Sequence, residues 1–393
     1  MTPRAPPPPQ REWSLRSRAF RGLLYQVIAL GLIALVLWFL AHNTLENMRV
    51  RGIQSGFDFL SQPAGFDIGE SIMSYESIDP YWKAFLVGLL NTLRVAVVGI
   101  VLATLLGTAL GVGRFSANAI VRGLCYGYVE LFRNVPILLQ LLMWYLLLTE
   151  ALPEPGEPLS LGGLVYLSKG GLSFPAPVWA AGHGWAVLGA LVGVGAAWWY
   201  SGRARKQFEA TGQARATVLP GLALIVVCTA AGWALGGAPS QWRLPEVTDV
   251  AVTGGGEITP EFIAVLMGLV LYTSAFIAEV VRAGIQSVPL GQSEAANALG
   301  LPPGRQMKLV VLPQALRVII PPLTNQYLNL TKNSSLAVAI GYPDVVSISN
   351  TAINQTGRAV ECIAIIMLIY LFTSLSTSGV MNWYNKRAAI KER

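Results

Sequence analysis

Eight blocks of apolar residues, each near the length a helix needs to cross a lipid bilayer, constrain this chain more than anything else in it. They run over 23–41, 85–112, 124–149, 178–200, 216–237, 260–281, 318–341 and 359–383. About 20 apolar residues in a helix match the hydrocarbon core. Because lipid offers backbone groups no hydrogen-bond partners, a segment of this kind crosses as a helix. Only 12% of the residues are charged and 53% are hydrophobic. The fold class predicted is therefore an all-α polytopic membrane protein with about eight transmembrane helices.

Lys and Arg placement orients these spans, since short cytoplasmic loops retain positive charge. With the N-terminus inside, the cytoplasm receives Arg4, Arg11, Arg16, Arg18 and Arg21, then Arg114 and Arg122, then Arg203, Arg205, Lys206 and Arg215. Arg282, Arg305, Lys308 and Arg317 follow, and Lys386, Arg387, Lys391 and Arg393 close the series. That is nineteen of the 28 basic residues. The external loops hold Arg49, Arg51, Lys83, Lys169, Arg243 and Arg358 but most of the acids, including Asp58, Asp67, Glu70, Asp79 and Glu157. Both termini are expected in the cytoplasm. The net charge of +7 is thus a topology signal, and no nucleic-acid partner is read from it.

The basic leader ahead of the first span differs from a cleaved secretory signal: 22 residues precede an apolar run of about 19, longer than a signal's 7–15. Residues 23–41 are expected to be an uncleaved anchor, and the leader, with Pro6 to Pro9 in a row, to be disordered. Cys125, Cys228 and Cys362 are widely spaced and suggest neither a disulfide nor a metal site, and His42 and His183 stand at span ends. No metal site and no catalytic set is expected. The sequence also lacks a G-x-x-x-x-G-K-[ST] phosphate loop, so if ATP drives this protein another chain binds it.

One polar loop stands between two apolar stretches. Residues 294–313 carry Glu294-Ala295-Ala296, then Gly300, then Leu312-Pro313 twelve residues after that glycine. A small helix is expected from about Gln292 to Leu299, stopped by Gly300 in a left-handed conformation. Pro303 then starts a second helix, where its missing N–H is not needed. This loop resembles the EAA loop, the cytoplasmic segment by which membrane subunits of bacterial ABC importers dock on their ATPase, with Val310 where isoleucine is usual.

Other segments extend the resemblance to polar amino acid permeases of the histidine/glutamine/arginine type. They are Gly88-Leu-Leu-Asn-Thr-Leu-Arg94, Glu130-Leu-Phe-Arg-Asn-Val-Pro-Ile-Leu-Leu-Gln-Leu141, and the run from Phe276 into Ala296. Asn134 and Val135 stand where the family has Gly-Thr. A long leader and an extra pair of spans make the chain most similar to the Q-type subunit of general L-amino acid ABC transporters. The expected division is a cytoplasmic leader (1–22), an anchor (23–41), a periplasmic segment (42–84), and a type I ABC transmembrane domain (85–385). An insertion at 150–257 with two extra helices interrupts that domain, 289–313 is its coupling loop, and 386–393 is a cytoplasmic tail.

Ionisable groups within spans cost on the order of 2.5–3.5 kcal/mol and usually face a cavity or a partner. Arg94, Glu130, Arg133, Lys332 and Glu361 are of this kind. Glu130 with Arg133, and Glu279 with Arg282, have the i to i+3 spacing that lets them neutralise each other along one helix. Thr324 to Ser335 is too polar to face lipid and must be enclosed. Asn325, Asn329, Lys332 and Asn333 fall on one face of it. Two readings stay open: Lys332 attracts the α-carboxylate of a substrate, or it pairs structurally with Glu361 or Glu130. Pro321-Pro322 and Gly341-Tyr-Pro343 are expected to break the helix on either side of the stripe.

The resemblance implies an importer working by alternating access. Its expected partners are two ATPase subunits carrying the ATP and magnesium, a second permease subunit forming a heterodimer, and a periplasmic amino-acid-binding protein delivering an L-amino acid. The chain itself is expected to hold no cofactor, to be no enzyme, and to sit in the bacterial inner membrane. Glu294, Ala295, Ala296, Gly300, Leu312 and Pro313 are its expected coupling residues. A proton-coupled secondary amino acid transporter is the alternative; that class usually shows an internal repeat, and the two halves here show none.

Overall fold

The computed structural model describes residues 18–50, 52, 55–213 and 215–388. Residues 1–17 of the leader and 389–393 of the tail lie outside the described residues. In chain order the helices are α1 (Arg18–Val50), α2 (Tyr81–Gly113), α3 (Ala119–Asn134), α4 (Ile137–Glu150), α5 (Ala181–Thr211), α6 (Val218–Leu235), α7 (Pro260–Gln286), α8 (Leu290–Ala298), α9 (Pro303–Gln306), α10 (Leu312–Asn333), α11 (Val345–Thr356) and α12 (Ala359–Ala388). Among the described residues seven helical segments are long and apolar enough to cross a membrane, or eight if α3 and α4 count as one bent span.

The span expected at 124–149 is not straight. It divides into α3 and α4, which meet at 105°. Pro136 causes the break, because a proline pushes the residue before it out of the helical region, and Val135 is extended with ψ 127°. The carbonyls freed at the corner would be costly in lipid, and the buried Gln140 side chain satisfies two of them, donating to Phe132 O at 3.0 Å and Val135 O at 2.8 Å. α3 therefore crosses α7 near Ser274, where the Tyr128 hydroxyl lies 2.8 Å from the Ser274 hydroxyl. α4 runs back along α7, with Leu141 packed on Gly268 and Tyr145 donating to Glu261 at 3.3 Å.

The seventh span also departs from expectation. Helical structure runs from Pro303 to Ile340, with a five-residue π-helix at Met307–Val311 and a 3-10 helix at Ser334–Ile340. Pro321 and Pro322 lie inside α10 and do not break it. Only the break after the stripe forms: Gly341 takes φ 81°, and the buried Tyr342 donates its hydroxyl to Asn91 O at 3.3 Å while Asn91 donates to Pro343 O at 3.0 Å.

The insertion holds both expected helices, α5 and α6, and also short strands that the all-α expectation did not include. β1 (Leu159–Leu161), β2 (Val165–Ser168), β3 (Gly171–Phe174) and β8 (Gly256–Ile258) form one antiparallel sheet in that order. β4 (Ala176–Pro177) pairs with β5 (Trp242–Arg243), and β6 (Pro245–Val247) with β7 (Val252–Gly254). The β3–β8 and β4–β5 pairings tie the two ends of the insertion together at the base of the α5–α6 hairpin.

The chain divides into two compact units. One comprises the described residues up to Leu89 with Val345–Thr373. In it Phe59, Ala64, Tyr81, Phe85, Ile348, Ala352 and Cys362 form a buried core. The segment at Gly56 and Asp58 is clamped there by charge. Arg358, only 6% exposed, meets Asp58 at 3.0 Å and Gly56 O at 2.8 Å, while the buried Glu361 accepts from Gly56 N at 2.6 Å. Arg358→Met leaves the Gly56 carbonyl without this donor, at a cost of about 1–3 kcal/mol. Added protease is expected to cut residues 55–80 of that variant several-fold faster than wild type; an equal rate would remove Arg358 as the clamp.

The other unit holds the described residues of Leu90–Asp344 and those from Ser374 onward. Its core joins Val95 and Ala103 of α2 to Leu269 and Ile277 of α7 and to Ala315, Ile319 and Leu330 of α10. Small residues let these backbones meet, as apolar burial gives little drive between helices in lipid. A Cβ at Gly107 would stand 2.7 Å from Ile277 Cβ and Ser274 O, and one at Gly111 2.8 Å from Ala278 O. Gly107→Val must push α2 off α7. The yield of monodisperse protein after detergent extraction is expected to fall at least several-fold, and a wild-type yield would contradict this packing.

Candidate functional site

The loop expected to be the coupling segment folds as its turn chemistry requires. Leu299 caps α8, and Gly300 follows it with φ 70°. Gly300 N–H donates to Asn297 O at 2.9 Å and Leu301 N–H to Ala296 O at 3.1 Å. These two bonds are the Schellman arrangement, which closes the last carbonyls of a helix through a left-handed residue. Pro302 is extended, and Pro303 opens α9 at its first position. Gln306 then ties the second helix to the first, donating to Ser293 O at 3.2 Å, and Gln314 reaches Gln292 Oε1 at 3.3 Å.

The expected docking surface is only partly the one the structure presents. Glu294 and Ala295 are exposed, but Ala296 is buried, 3% exposed, on the inner face of α8. The outer face is completed instead by Asn297, Ala298 and the apolar ends Leu290 and Leu299, each 80% exposed. The Glu-Ala-Ala spacing fixes a helix, but which alanine faces outward depends on how that helix seats on its neighbours. Leu312 is exposed and Pro313 half-buried at the start of α10. Between α8 and the ends of α2 and α7 lies a cleft of roughly 640 Å³ lined by Phe115, Ile285, Val288, Ser293, Gln306 and Val311.

A charge cluster stands above this cleft. Glu279 accepts from Arg282, as the spacing predicts, with Arg282 Nε at 3.1 Å. Arg114, from the end of α2, adds a bond of 2.6 Å, and Arg133 comes within 3.9 Å. Glu130 and Arg133 are not brought together as the expected pair. Arg133 turns to Glu279 and lies over the Phe276 ring at 5.3 Å, while Glu130 accepts from Asn134 at 3.4 Å. The break at Val135 places Arg133 in the last turn of α3, where that helix crosses α7. Glu279 thus joins α2, α3 and α7.

The polar stripe lies on α10. Its inner side is anchored: Tyr327 meets the Thr104 hydroxyl at 3.0 Å, and Leu330 packs on Gly99. Asn325, Asn329 and Lys332 point the other way and are exposed, with Asn333 half-buried beside them. The enclosure expected for this stripe is therefore not supplied within its unit. Of the two carboxylates considered for Lys332, Glu361 accepts from Gly56 N–H through Oε1 and Glu130 accepts from Asn134. Arg94 stacks over Phe262 at 4.1 Å. Among the described residues no cluster of three metal-ligating side chains occurs.

Sequence reasoning passed over Gln140 and Asn91. The signal for the first was Pro136 with a glutamine one turn on; for the second it was an asparagine within an otherwise apolar helix.

Residues 98–390 match the family described as binding-protein-dependent transport system inner membrane component. The chain is 44% identical over 385 residues to the general L-amino acid transport system permease protein AapQ of Rhizobium johnstonii, covering 97% of this chain and 96% of that one. It is 41% identical over 406 residues to the glutamate/glutamine/aspartate/asparagine transport system permease protein BztB of Rhodobacter capsulatus, covering 95% of each. A crystal structure of an amino acid ABC transporter with histidines aligns over 78% of this chain and 95% of its own at 20% identity and a TM-score of 0.47. By a match over most of its length, this chain belongs to the family of binding-protein-dependent transport system inner membrane components.

Proposed function

We propose that this inner-membrane protein is a permease subunit of an ATP-driven importer that carries L-amino acids, with broad and polar selectivity. The observation that carries the reading is the likeness to AapQ along 97% of this chain. The proposed partners are a soluble binding protein that delivers the substrate, two ATPase subunits that bind the ATP and magnesium, and a second permease subunit that completes the pathway; the family description supports the first of these. The exposed stripe on α10 favours a second membrane subunit, because three polar side chains facing lipid would be costly. A heterodimer is proposed, with the partner's helices covering that face.

In this reading the α8–α9 elbow is the coupling segment and lies in the cytoplasm with both termini. That orientation requires α3 and α4 to cross as one bent span. Glu294, Ala295 and Gly300 act at the docking surface itself. Ala296, Leu312 and Pro313 act behind it, seating α8 and joining it to α10. Closure of the ATPases moves the elbow, and α10 carries that movement to Asn325, Asn329, Lys332 and Asn333, which line the substrate path. The Lys332 ammonium attracts the α-carboxylate common to all amino acids, and the asparagines supply hydrogen bonds.

The test is uptake into proteoliposomes holding the complete complex. Uptake of labelled L-amino acids is expected only with internal ATP and the soluble binding protein. Drive by a proton gradient alone would replace the importer with a secondary carrier.

A further inference from the structure

The α5–α6 hairpin has no part in the coupling elbow or the polar stripe, yet it carries a built cleft of its own. Its two helices pack mainly on each other, with Gly193 so close to Ile225 that an added Cβ would stand 2.7 Å from the Ile225 Cα. Leu188, Leu191, Val226 and Val227 remain exposed, as on a lipid-facing surface. α6 has 18 residues, about 27 Å of helix, close to the roughly 30 Å of a hydrocarbon core. α5 has 31 residues and so outruns its partner by about 20 Å. The Tyr200 hydroxyl donates to Ala216 O at 3.4 Å, which sets the start of α6 level with Tyr200. Residues from Ser201 to Thr211 therefore project beyond the paired, bilayer-matched part.

At that boundary stand Trp198 and Trp199, exposed by 74% and 56%, with Trp185 and Trp233 near the opposite end of the hairpin. Tryptophan at both ends of an apolar helix pair marks the two water interfaces. A cleft of roughly 680 Å³ opens beside Trp199, lined also by Ser201, Gly202, Arg203, Arg205 and Lys206. Trp199, Arg203 and Lys206 stand at i, i+4 and i+7 and so share one side of α5. The Arg203 guanidinium lies 3.8 Å over the Trp199 ring. That stacking uses its face and leaves its N–H edge free to donate. Arg205 is paired with Glu209 at 3.2 Å, so three cations are matched by one carboxylate. Ala204 is buried on the other side, which keeps all three cations turned outward.

We propose that this cleft binds the phosphate of an anionic phospholipid headgroup. The position selects the ligand: the cations stand at the water side of an aromatic belt, and the apolar flank of α5 continues below them for the acyl chains. Basic side chains at an anionic membrane surface are favoured by electrostatics of this kind, and each contributes about fivefold in affinity. Free inorganic phosphate has the same headgroup chemistry but no use for the apolar flank.

Native mass spectrometry of the intact complex, purified in detergent with either phosphatidylglycerol or phosphatidylcholine added, tests the assignment. Wild type is expected to retain phosphatidylglycerol in preference to phosphatidylcholine. Arg203→Gln with Lys206→Gln is expected to lose that preference by at least about tenfold in lipid affinity. Glu209→Gln, which frees Arg205, is expected to raise it. These side chains are exposed, and monodisperse elution of each variant verifies folding. Equal phosphatidylglycerol retention by wild type and the double variant would overturn the site. Displacement of the lipid by millimolar inorganic phosphate would reassign it to free phosphate. Loss of a protein subunit from the double variant, with lipid retention unchanged, would make the cleft a protein-docking surface instead.

Discussion

Gly300→Val is expected to lower ATP-driven uptake at least tenfold while ATP hydrolysis by the complex persists. The cause is conformational and local. Gly300 holds φ 70°, and beyond its chain neighbours no atom lies within 4 Å of where its Cβ would be, so tertiary crowding plays no part. A β-branched residue in the left-handed region costs about 1–2 kcal/mol. That strain falls on the two hydrogen bonds that end α8, Gly300 N–H to Asn297 O and Leu301 N–H to Ala296 O. When they open, the last turn of α8 frays and the elbow no longer transmits movement to α10. Gly300→Asn is the discriminating companion, because asparagine tolerates the left-handed region, and it is expected to keep most of the uptake. Equal uptake by wild type and the valine variant, measured in proteoliposomes with hydrolysis followed in parallel, would remove the elbow from coupling.

The second large effect is expected at Lys332. Lys332→Met keeps much of the side-chain length and removes the charge, so the proposed charge-assisted hydrogen bond to the substrate carboxylate, worth about 1.5–3 kcal/mol, would be lost. Uptake efficiency is expected to fall about 10–100-fold, while the assembled complex and its basal ATP hydrolysis persist. Lys332→Arg keeps the charge and is expected to recover part of the loss. Unchanged uptake kinetics in an intact complex would remove Lys332 from the path. Loss of assembly with either substitution would give it a structural place at the subunit interface.

How much of this was legible beforehand follows from the range of the forces involved. The spans were readable because each is a local run of apolar side chains, and the ends of α8 because Gly300 and Pro303 restrict their own backbones. The corner at Pro136 was underread: apolar composition continues smoothly across it, and the Gln140 bonds that make it tolerable only exist once the chain has turned. The strands of the insertion were missed because pieces of two to four residues are too short to show a period of two. Pro321 and Pro322 misled in the other direction, as α10 runs straight through them within a membrane-spanning helix.

The charges divide in the same way. Glu279 and Arg282 are one turn apart on one helix, and their pairing needed only that spacing. Arg114 and Arg133 reach Glu279 from two other helices, and Arg133 thereby gave up its nearer carboxylate, Glu130. The membrane class, the existence of the elbow and the family were thus all readable from the order of side chains. Hydropathy and backbone restriction act over a few residues, so both are written directly into that order. Which face of each helix is covered emerged only from the packed fold: Ala296 turns inward while Leu299 turns out, and Asn325, Asn329 and Lys332 are left bare. Helical periodicity defines a face, but its environment depends on neighbours far away in the chain.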